Sequence, residues 1–185
     1  MYNLLKSLVL IGLTMTANTD ETAAAPDPEN TLVLEIEHGT VVIEMLPEVA
    51  PKHVARIKEL TREGFYDGIV FHRVMEGFMA QTGDPTGTGT GGSGQNIDAE
   101  FSSEPFLRGT LGMARSSSPN SADSQFFITF APARFLDNQY TVWGRVIEGM
   151  DAVDQIKKAP AGSQSGTVDD PDKIIRMRVK ADIKE

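Results

Sequence analysis

Apolar and polar residues alternate along much of the chain from residue 31 onward, a pattern typical of β-strands with one buried face. Residues His38 and Gly39 form a turn signal between the first two such segments, which predicts that the domain opens with a hairpin. The pattern predicts eight strands, at residues 31–37, 41–46, 69–74, 78–82, 110–114, 125–130, 141–147 and 173–183.

Two segments depart from this alternation and predict helices. In residues 51–64, Val54, Ile57 and Leu60 recur at three- to four-residue spacing, between a proline suited to a first helical turn and a terminal glycine. A shorter helix is predicted over residues 149–157. Because helices do not separate the strands, a parallel sheet is disfavoured. We therefore expect a mainly β fold, a closed eight-stranded antiparallel barrel capped by two α-helices.

The first thirty residues differ from the rest. Residues 1–6 carry one lysine, residues 8–15 are apolar, and small residues follow up to Ala25. The apolar run is too short to span a membrane and has the layout of a secretory signal peptide. We predict a signal peptide at 1–25, a flexible lead-in at 26–30 and one domain at 31–185. The expected location is periplasmic or secreted, without a membrane segment in the mature form; a cytoplasmic protein with an N-terminal extension is the alternative.

Composition excludes several classes of function. The 185 residues contain no cysteine, which excludes a disulfide scaffold, a thiol nucleophile and cysteine-bound metal. The formal net charge is −9 and the basic residues are scattered, so no nucleic-acid partner is expected. No segment indicates an oligomer interface, and a monomer is expected.

Three segments carry more specific motifs. They are FHRVMEGFMAQTGDPTGTGTGG at 71–92, MARSSSPNSADSQFFITF at 113–130 and RFLDNQYTVWG at 134–144. Together they strongly resemble the signatures of the cyclophilin-type peptidyl-prolyl cis-trans isomerases, and in detail they are similar to bacterial members. The resemblance covers roughly residues 30–183. It implies an eight-stranded antiparallel barrel that rotates X–Pro bonds in unfolded or extended polypeptides, with neither a cofactor nor a metal.

The chemistry explains why such a site needs an arginine. Rotation of the bond costs about 18–20 kcal/mol because amide resonance is lost in the twisted state. A catalyst has to grip the proline and donate a hydrogen bond to the nitrogen, which gains a lone pair in that state. The resemblance implies that Arg73 is this donor, since its guanidinium is permanently charged and carries several N–H groups. It implies Phe78 as a further catalytic residue and Gln81 as the residue that orients Arg73.

The resemblance also implies a substrate-binding set: Met79, Gly89, Ala114, Arg115, Ser116, Gln125, Phe127, Phe135, Leu136 and Tyr140. Within it, the backbone of residues 114–116 would align the peptide before the proline. Phe135 stands where many members have a tryptophan, whose indole N–H usually hydrogen-bonds cyclosporin. Phenylalanine has no such donor, so weak cyclosporin binding is expected.

Alternation predicts that Phe71 and Arg73 lie on one strand face, with His72 and Val74 on the other. His53 is expected to be solvated and His72 to be packed.

A non-catalytic peptide-binding chaperone module on the same fold remains an alternative function. A hydrolase is a further alternative, which peptide cleavage would reveal.

Overall fold

The computed structural model describes residues 25–184. The predicted signal peptide, apart from Ala25, lies outside the described residues. Within residues 25–184, no helix is both long and apolar enough to cross a membrane.

Eight strands and two α-helices form the domain. The strands are β1 (Thr31–Ile36), β2 (Gly39–Met45), β3 (Arg73–Met75), β4 (Met79–Thr82), β5 (Thr110–Met113), β6 (Phe126–Thr129), β7 (Val142–Glu148) and β8 (Ile174–Val179). The helices are α1 (Pro51–Arg62) and α2 (Met150–Gln155), and short 3-10 turns occupy Pro28–Asn30, Arg134–Leu136 and Lys180–Asp182.

All strand pairs are antiparallel and belong to one sheet with the order β3-β4-β6-β5-β7-β2-β1-β8. The predicted opening hairpin is β1–β2, in which Ile36 lies opposite Gly39. The predicted number of strands and their antiparallel pairing are therefore confirmed.

The prediction of a closed barrel is wrong, because β3 and β8 are the two ends of the sheet and do not pair with each other. The residues before β3 approach the start of β8 at an isolated bridge between Val70 and Lys173, where three backbone hydrogen bonds join residues 68–71 to residues 172–174. The predicted strand at 69–74 is reduced to Arg73–Met75 because β4 ends at Thr82, where a glycine-rich loop leaves the sheet. The pairing of β3 with β4 consequently begins at Arg73 and Gln81, and the sheet is an open half-barrel.

One face of the sheet and the two helices enclose the main core. Alternate residues of β1 and β2, such as Leu34 and Ile43, are fully buried there, as are Ile57 of α1 and Val153 of α2. Trp143 on β7 is also fully buried. The period-two burial is the physical counterpart of the sequence pattern, because each strand buries every second side chain.

A second, smaller apolar cluster lies apart from the main core. On β6, Phe126 and Ile128 belong to the main core, whereas Phe127 between them belongs to the second cluster. Side chains on opposite faces of a strand alternate, so the second cluster lies on the other face of the sheet. Its buried members are Leu46, Met79, Phe106, Phe127, Ala133, Leu136 and Val142.

The N-terminus of α1 is capped by a residue distant in sequence. Ala50 at the N-cap makes no side-chain hydrogen bond, and the Glu100 carboxylate instead accepts the backbone N–H groups of Lys52 (3.1 Å) and His53 (3.0 Å). The His53 ring is fully buried, with Nδ1 at 2.6 Å from Glu100. The prediction that His53 is solvated is therefore wrong. Because Ala50 provides no local cap, the first-turn N–H groups need a distant acceptor, and the Glu100 carboxylate that accepts them also binds the His53 ring.

Candidate active site

One row of side chains crosses four neighbouring strands. The pairing sets Arg73 of β3 opposite Gln81 of β4, Gln81 opposite Phe127 of β6, and Phe127 opposite Gly112 of β5. Directly opposed residues in an antiparallel sheet project from the same face. The row therefore brings a cation, an amide and an aromatic ring to the face that carries the second apolar cluster.

Gly112, at the end of this row, makes room for two stacked aromatic rings. A Cβ at Gly112 would lie 2.5 Å from Cζ of Phe127 and 2.6 Å from the Phe106 ring. These two rings stack on each other at a centroid distance of 5.7 Å. Both rings can occupy this position because residue 112 has no side chain.

Four groups surround the Arg73 guanidinium. Nε donates to the backbone carbonyl of Ser165 at 2.9 Å, and Nη1 donates to Oε1 of Gln81 at 3.3 Å. The thioether sulfurs of Met79 and Met75 lie 4.0 Å from Nη1 and 3.1 Å from Nη2. Sulfur is a weak acceptor, so the outer N–H groups of Arg73 retain most of their capacity to donate to a ligand.

The guanidinium and the apolar cluster line one cavity of about 250 Å³. Its wall includes aromatic pairs, with the Phe78 and Phe135 rings 5.4 Å apart and the Phe127 and Tyr140 rings 5.9 Å apart. The full lining is Arg73, Phe78, Met79, Gln81, Ala114, Arg115, Phe127, Phe135, Leu136 and Tyr140. A cavity lined mainly by apolar and aromatic side chains, with Arg73 and Arg115 in its wall, is suited to a small ring attached to a polar backbone.

A second cavity, of about 440 Å³, adjoins the first and shares Gln81, Ala114 and Arg115 with it. The Arg115 guanidinium lies over the Tyr140 ring at 4.5 Å and donates to the carbonyl of Gln139. The second cavity is lined by Gln81, Gly89, Thr90, Gly91, Gly92, Asn96, Ala114, Arg115, Ser116, Ser121, Asp123 and Gln125. Because they share residues, the two cavities form one groove, with an apolar half lined mainly by apolar and aromatic side chains and a polar half lined mainly by glycines and polar side chains.

Of the three backbone N–H groups at residues 114–116, between the two cavities, two have hydrogen-bond acceptors within the protein. The N–H of Ala114 donates to the carbonyl of Gln125, and that of Ser116 donates to Oγ of Ser121. Within residues 25–184, the N–H of Arg115 has no protein acceptor. An extended peptide in the groove could accept a hydrogen bond from it.

The glycine-rich loop at 83–94 is fixed by a buried carboxylate. Oδ1 of Asp84 accepts the N–H of Thr86 (2.7 Å), and Oδ2 accepts that of Gly89 (2.5 Å). Burial by itself would raise the pKa of Asp84, but hydrogen bonds from Thr86, Gly91 and Gly89 lower it to about 2. Asp84 is therefore ionised at neutral pH.

Gln125 connects this loop to Arg73. Its Nε2 donates to the carbonyls of Gly91 (2.8 Å) and Gly89 (3.1 Å), and its Oε1 accepts from Nε2 of Gln81 (2.9 Å). Gln81 in turn accepts from Arg73. A continuous set of hydrogen bonds thus runs from the glycine-rich loop to the guanidinium.

His72 lies beside the loop and is packed, as expected. It is 6% exposed, and neither ring nitrogen has a partner within the described residues. Burial lowers the pKa of His72, so the imidazole is neutral at pH 7. Arg73 is therefore the cation of the apolar half of the groove, together with Arg115 at its border.

The structure brings all thirteen predicted site residues to one of the two cavities. It corrects the predicted strand faces: Phe71 and Val74 both belong to the main core, whereas Arg73 lies in the groove. The reason is that residues 69–72 are not part of β3, so strict alternation does not extend back to Phe71.

Sequence reasoning missed several residues that surround the site. Asn96, Ser121 and Asp123 line the second cavity, and the Ser165 carbonyl contacts Arg73. Ser121 and Asp123 lie inside the motif at 113–130, but the resemblance assigned them no role, and nothing in the residue types around Asn96 and Ser165 signals a site.

Comparison with known proteins identifies the relatives of this chain. Residues 31–179 match the family described as cyclophilin type peptidyl-prolyl cis-trans isomerase/CLD. A protein from Brucella suis named probable peptidyl-prolyl cis-trans isomerase is 54% identical over 176 residues, covering 89% of each chain. A protein from Gibberella zeae named peptidyl-prolyl cis-trans isomerase-like 1 is 39% identical over 155 residues, covering 80% of this chain and 93% of the relative.

Solved structures agree with these relatives. The crystal structure of the cyclophilin AquaCyp293 from Hirschia baltica matches with a TM-score of 0.75 and 29% identity, covering 86% of this chain and 77% of that protein. A cyclophilin type isomerase from Cryptosporidium parvum, crystallised in the presence of the dipeptide Ala-Pro, matches with a TM-score of 0.73 and 29% identity. That alignment covers 80% of this chain and 98% of the Cryptosporidium protein.

Proposed function

The chain belongs to the cyclophilin-type peptidyl-prolyl cis-trans isomerases, and we propose that it accelerates X–Pro rotation non-covalently through Arg73 and the apolar half of the groove. The observation that carries this proposal is that the guanidinium and the rings of Phe78 and Phe127 line the same cavity. The proline-containing substrate class is supported by the Cryptosporidium relative, which was crystallised with Ala-Pro.

In this proposal the proline ring occupies the apolar cavity over Phe127. The X–Pro amide then lies beside Arg73, and an outer N–H of the guanidinium donates to the proline nitrogen as it becomes pyramidal. The planar ground state has no lone pair available at that nitrogen, so the hydrogen bond favours the twisted state selectively. A fixed donor of this kind contributes catalysis without a proton transfer.

The polar half of the groove would hold the residues that precede the proline. The open N–H of Arg115 is suited to a carbonyl of an extended peptide, since its neighbours Ala114 and Ser116 have internal acceptors. The second cavity beside it can take a side chain of the same peptide. This arrangement would set the register of the proline relative to Arg73.

A cis-trans isomerisation assay on an Ala-Pro peptide tests the proposal. Arg73→Ala should lower kcat/KM at least about tenfold, because a hydrogen bond to a charged donor contributes roughly 1.5–3 kcal/mol. Arg73→Lys should also be impaired, because lysine lacks the planar fork that contacts Ser165 and Gln81 together. Arg145→Ala is the matched control, since Arg145 is an exposed strand arginine that pairs with Glu44 at 2.6 Å.

The other function classes give different results in the same experiment. A peptide-binding chaperone module would bind the peptide but would show no rate enhancement that depends on Arg73. A hydrolase would cleave the peptide, and mass spectrometry of the incubated sample would detect the products. Unchanged kcat/KM in Arg73→Ala would contradict the proposed mechanism.

The proposal includes a location. A signal peptide within residues 1–25 would direct export and be cleaved after one of the small residues from Ala17 to Ala25, so that the domain acts on newly exported chains. N-terminal sequencing of the protein from fractionated cells should give a start within residues 18–26 in the exported fraction. A cytosolic chain that begins at Met1 would contradict export.

A further inference from the structure

The segment at residues 163–167 runs along the outer edge of β3. β3 is an end strand of the sheet, and the bridge between Arg73 and Thr167 covers the edge opposite β4. The N–H of Val74 donates to the carbonyl of Gly166 at 2.8 Å, and the N–H of Val168 donates to that of His72 at 3.2 Å. The segment is therefore attached to the backbone of the strand that carries Arg73.

This segment also contacts the Arg73 side chain. The carbonyl of Ser165 accepts Nε–H of Arg73 at 2.9 Å, from the side opposite Gln81, whose Oε1 is 3.3 Å from Nη1. An arginine side chain has many rotamers, and fixing it in one of them costs conformational entropy. Acceptors at both ends of the guanidinium restrict it to one orientation before any substrate arrives.

Gly166 allows the segment to approach this closely. It is buried, its φ is +74°, and a Cβ there would lie 2.6 Å from Cγ of Met75 and 3.2 Å from Cγ of Arg73. Met75 in turn contacts Nη2 of Arg73 through its sulfur at 3.1 Å. A side chain at position 166 would therefore displace the groups that hold the guanidinium.

We propose that residues 163–167 are a positioning element for Arg73, acting through the Ser165 carbonyl and the close contact at Gly166. The inference rests on the proposed role of Arg73. Its consequence is that kcat depends on a loop outside the groove, because a displaced guanidinium loses the hydrogen bond formed in the twisted state while the apolar cavity still binds proline.

Two glycine variants of the same loop distinguish an effect on the position of Arg73 from an effect of backbone strain. Gly162 has a φ of +82°, and a Cβ added there would have no atom within 4 Å, so Gly162→Ala introduces similar backbone strain without contacting Arg73. Gly166→Ala should lower kcat about tenfold with KM within about twofold, because a misplacement near 1 Å is enough for such a loss. Gly162→Ala should leave both constants within about twofold. Equal kcat values for the two variants would overturn the inference.

The Arg73→Ala variant, measured in parallel, distinguishes the two proposals. If Arg73→Ala keeps full activity, the proposed role of Arg73 fails. If Arg73→Ala is impaired but Gly166→Ala matches Gly162→Ala, only the positioning element fails.

NMR of the wild-type protein provides a test that does not require a folded Gly166→Ala variant. The Nε–H of Arg73, assigned by its loss in Arg73→Lys, should exchange with water at least about tenfold more slowly than that of Arg108, which binds Asp154 through its terminal nitrogens. This protection should persist in Gly162→Ala and be lost in Gly166→Ala if that variant folds. Exchange of the wild-type Arg73 Nε–H as fast as that of Arg108 would overturn the inference.

Discussion

Arg73 and Gln81 lie directly opposite each other on β3 and β4, and their side chains hydrogen-bond at 3.3 Å between Nη1 and Oε1. Strand register therefore sets the guanidinium beside its amide acceptor. Gln81 is itself held in place, because its Nε2 donates to Gln125, and Gln125 donates to the carbonyls of Gly89 and Gly91.

A double-mutant cycle on Gln81 and Gln125 tests whether these contacts act in series. Gln81→Leu should lower kcat about tenfold, and Gln125→Leu by a smaller factor, because Gln125 reaches Arg73 through Gln81. The double variant should be no slower than Gln81→Leu alone. Gln155→Leu on α2 is the control and should be neutral. Additive losses in the double variant would show that the two residues act independently.

Gly112→Ala should both destabilise the protein and weaken peptide binding. The added methyl would overlap the rings of Phe127 and Phe106, and overpacking of this kind typically costs about 1–3 kcal/mol. Urea unfolding measures the stability, and KM for an Ala-Pro peptide should rise because Phe127 is displaced from the cavity floor. The second substitution Phe106→Leu should recover part of the stability, and the absence of any recovery would argue against the ring overlap.

Asp84→Asn should reduce stability at neutral pH by roughly 2 kcal/mol, because the pKa of Asp84 is lowered from 3.8 to about 2 in the folded protein. A carboxyl with a lowered pKa contributes stability that is fully present above its unfolded value and is lost as the pH falls through the folded value. The difference between wild type and variant, measured by urea unfolding, should therefore shrink between about pH 4 and pH 2.

Asp98→Asn is the control for this titration. The Asp98 side chain is 70% exposed and pairs with Lys52 at 3.6 Å, so its loss should cost less than about 1 kcal/mol. A stability difference for Asp84→Asn that stays constant down to pH 2 would contradict the role given to its charge.

Cyclosporin should inhibit this protein weakly, and Phe135→Trp should tighten inhibition at least about tenfold by adding an indole N–H donor. Phe135 is 66% exposed at the edge of the apolar cavity, so a larger ring can be accommodated toward solvent. Phe101→Trp is the control, since Phe101 is exposed but does not line either cavity. Nanomolar inhibition of the wild-type protein would refute the expectation.

Hydrophobic periodicity was sufficient for β1 and β2, with period two, and for α1, with three- to four-residue spacing, because each of these elements buries one regularly spaced face. It was insufficient around residues 69–74 and at the chain's last strand, which ends at Val179 rather than Ile183. In both places alternation continues beyond the point where a neighbouring strand is available for pairing. The closed barrel was expected because the pattern gives the number of strands but not which end strands pair, and in the folded chain β3 and β8 do not pair.

The sequence by itself determined the family, the antiparallel β class and thirteen of the residues that line the groove, because the alternating pattern and the motifs that resemble the family's signatures reside in side-chain types along the chain. Only the tertiary structure decided that Glu100 caps α1 and that the Ser165 carbonyl holds Arg73, across 92 positions of sequence in the second case. A backbone carbonyl is the same at every residue, so a contact made by one leaves no mark in the sequence. The folded chain alone determines which carbonyl meets the guanidinium.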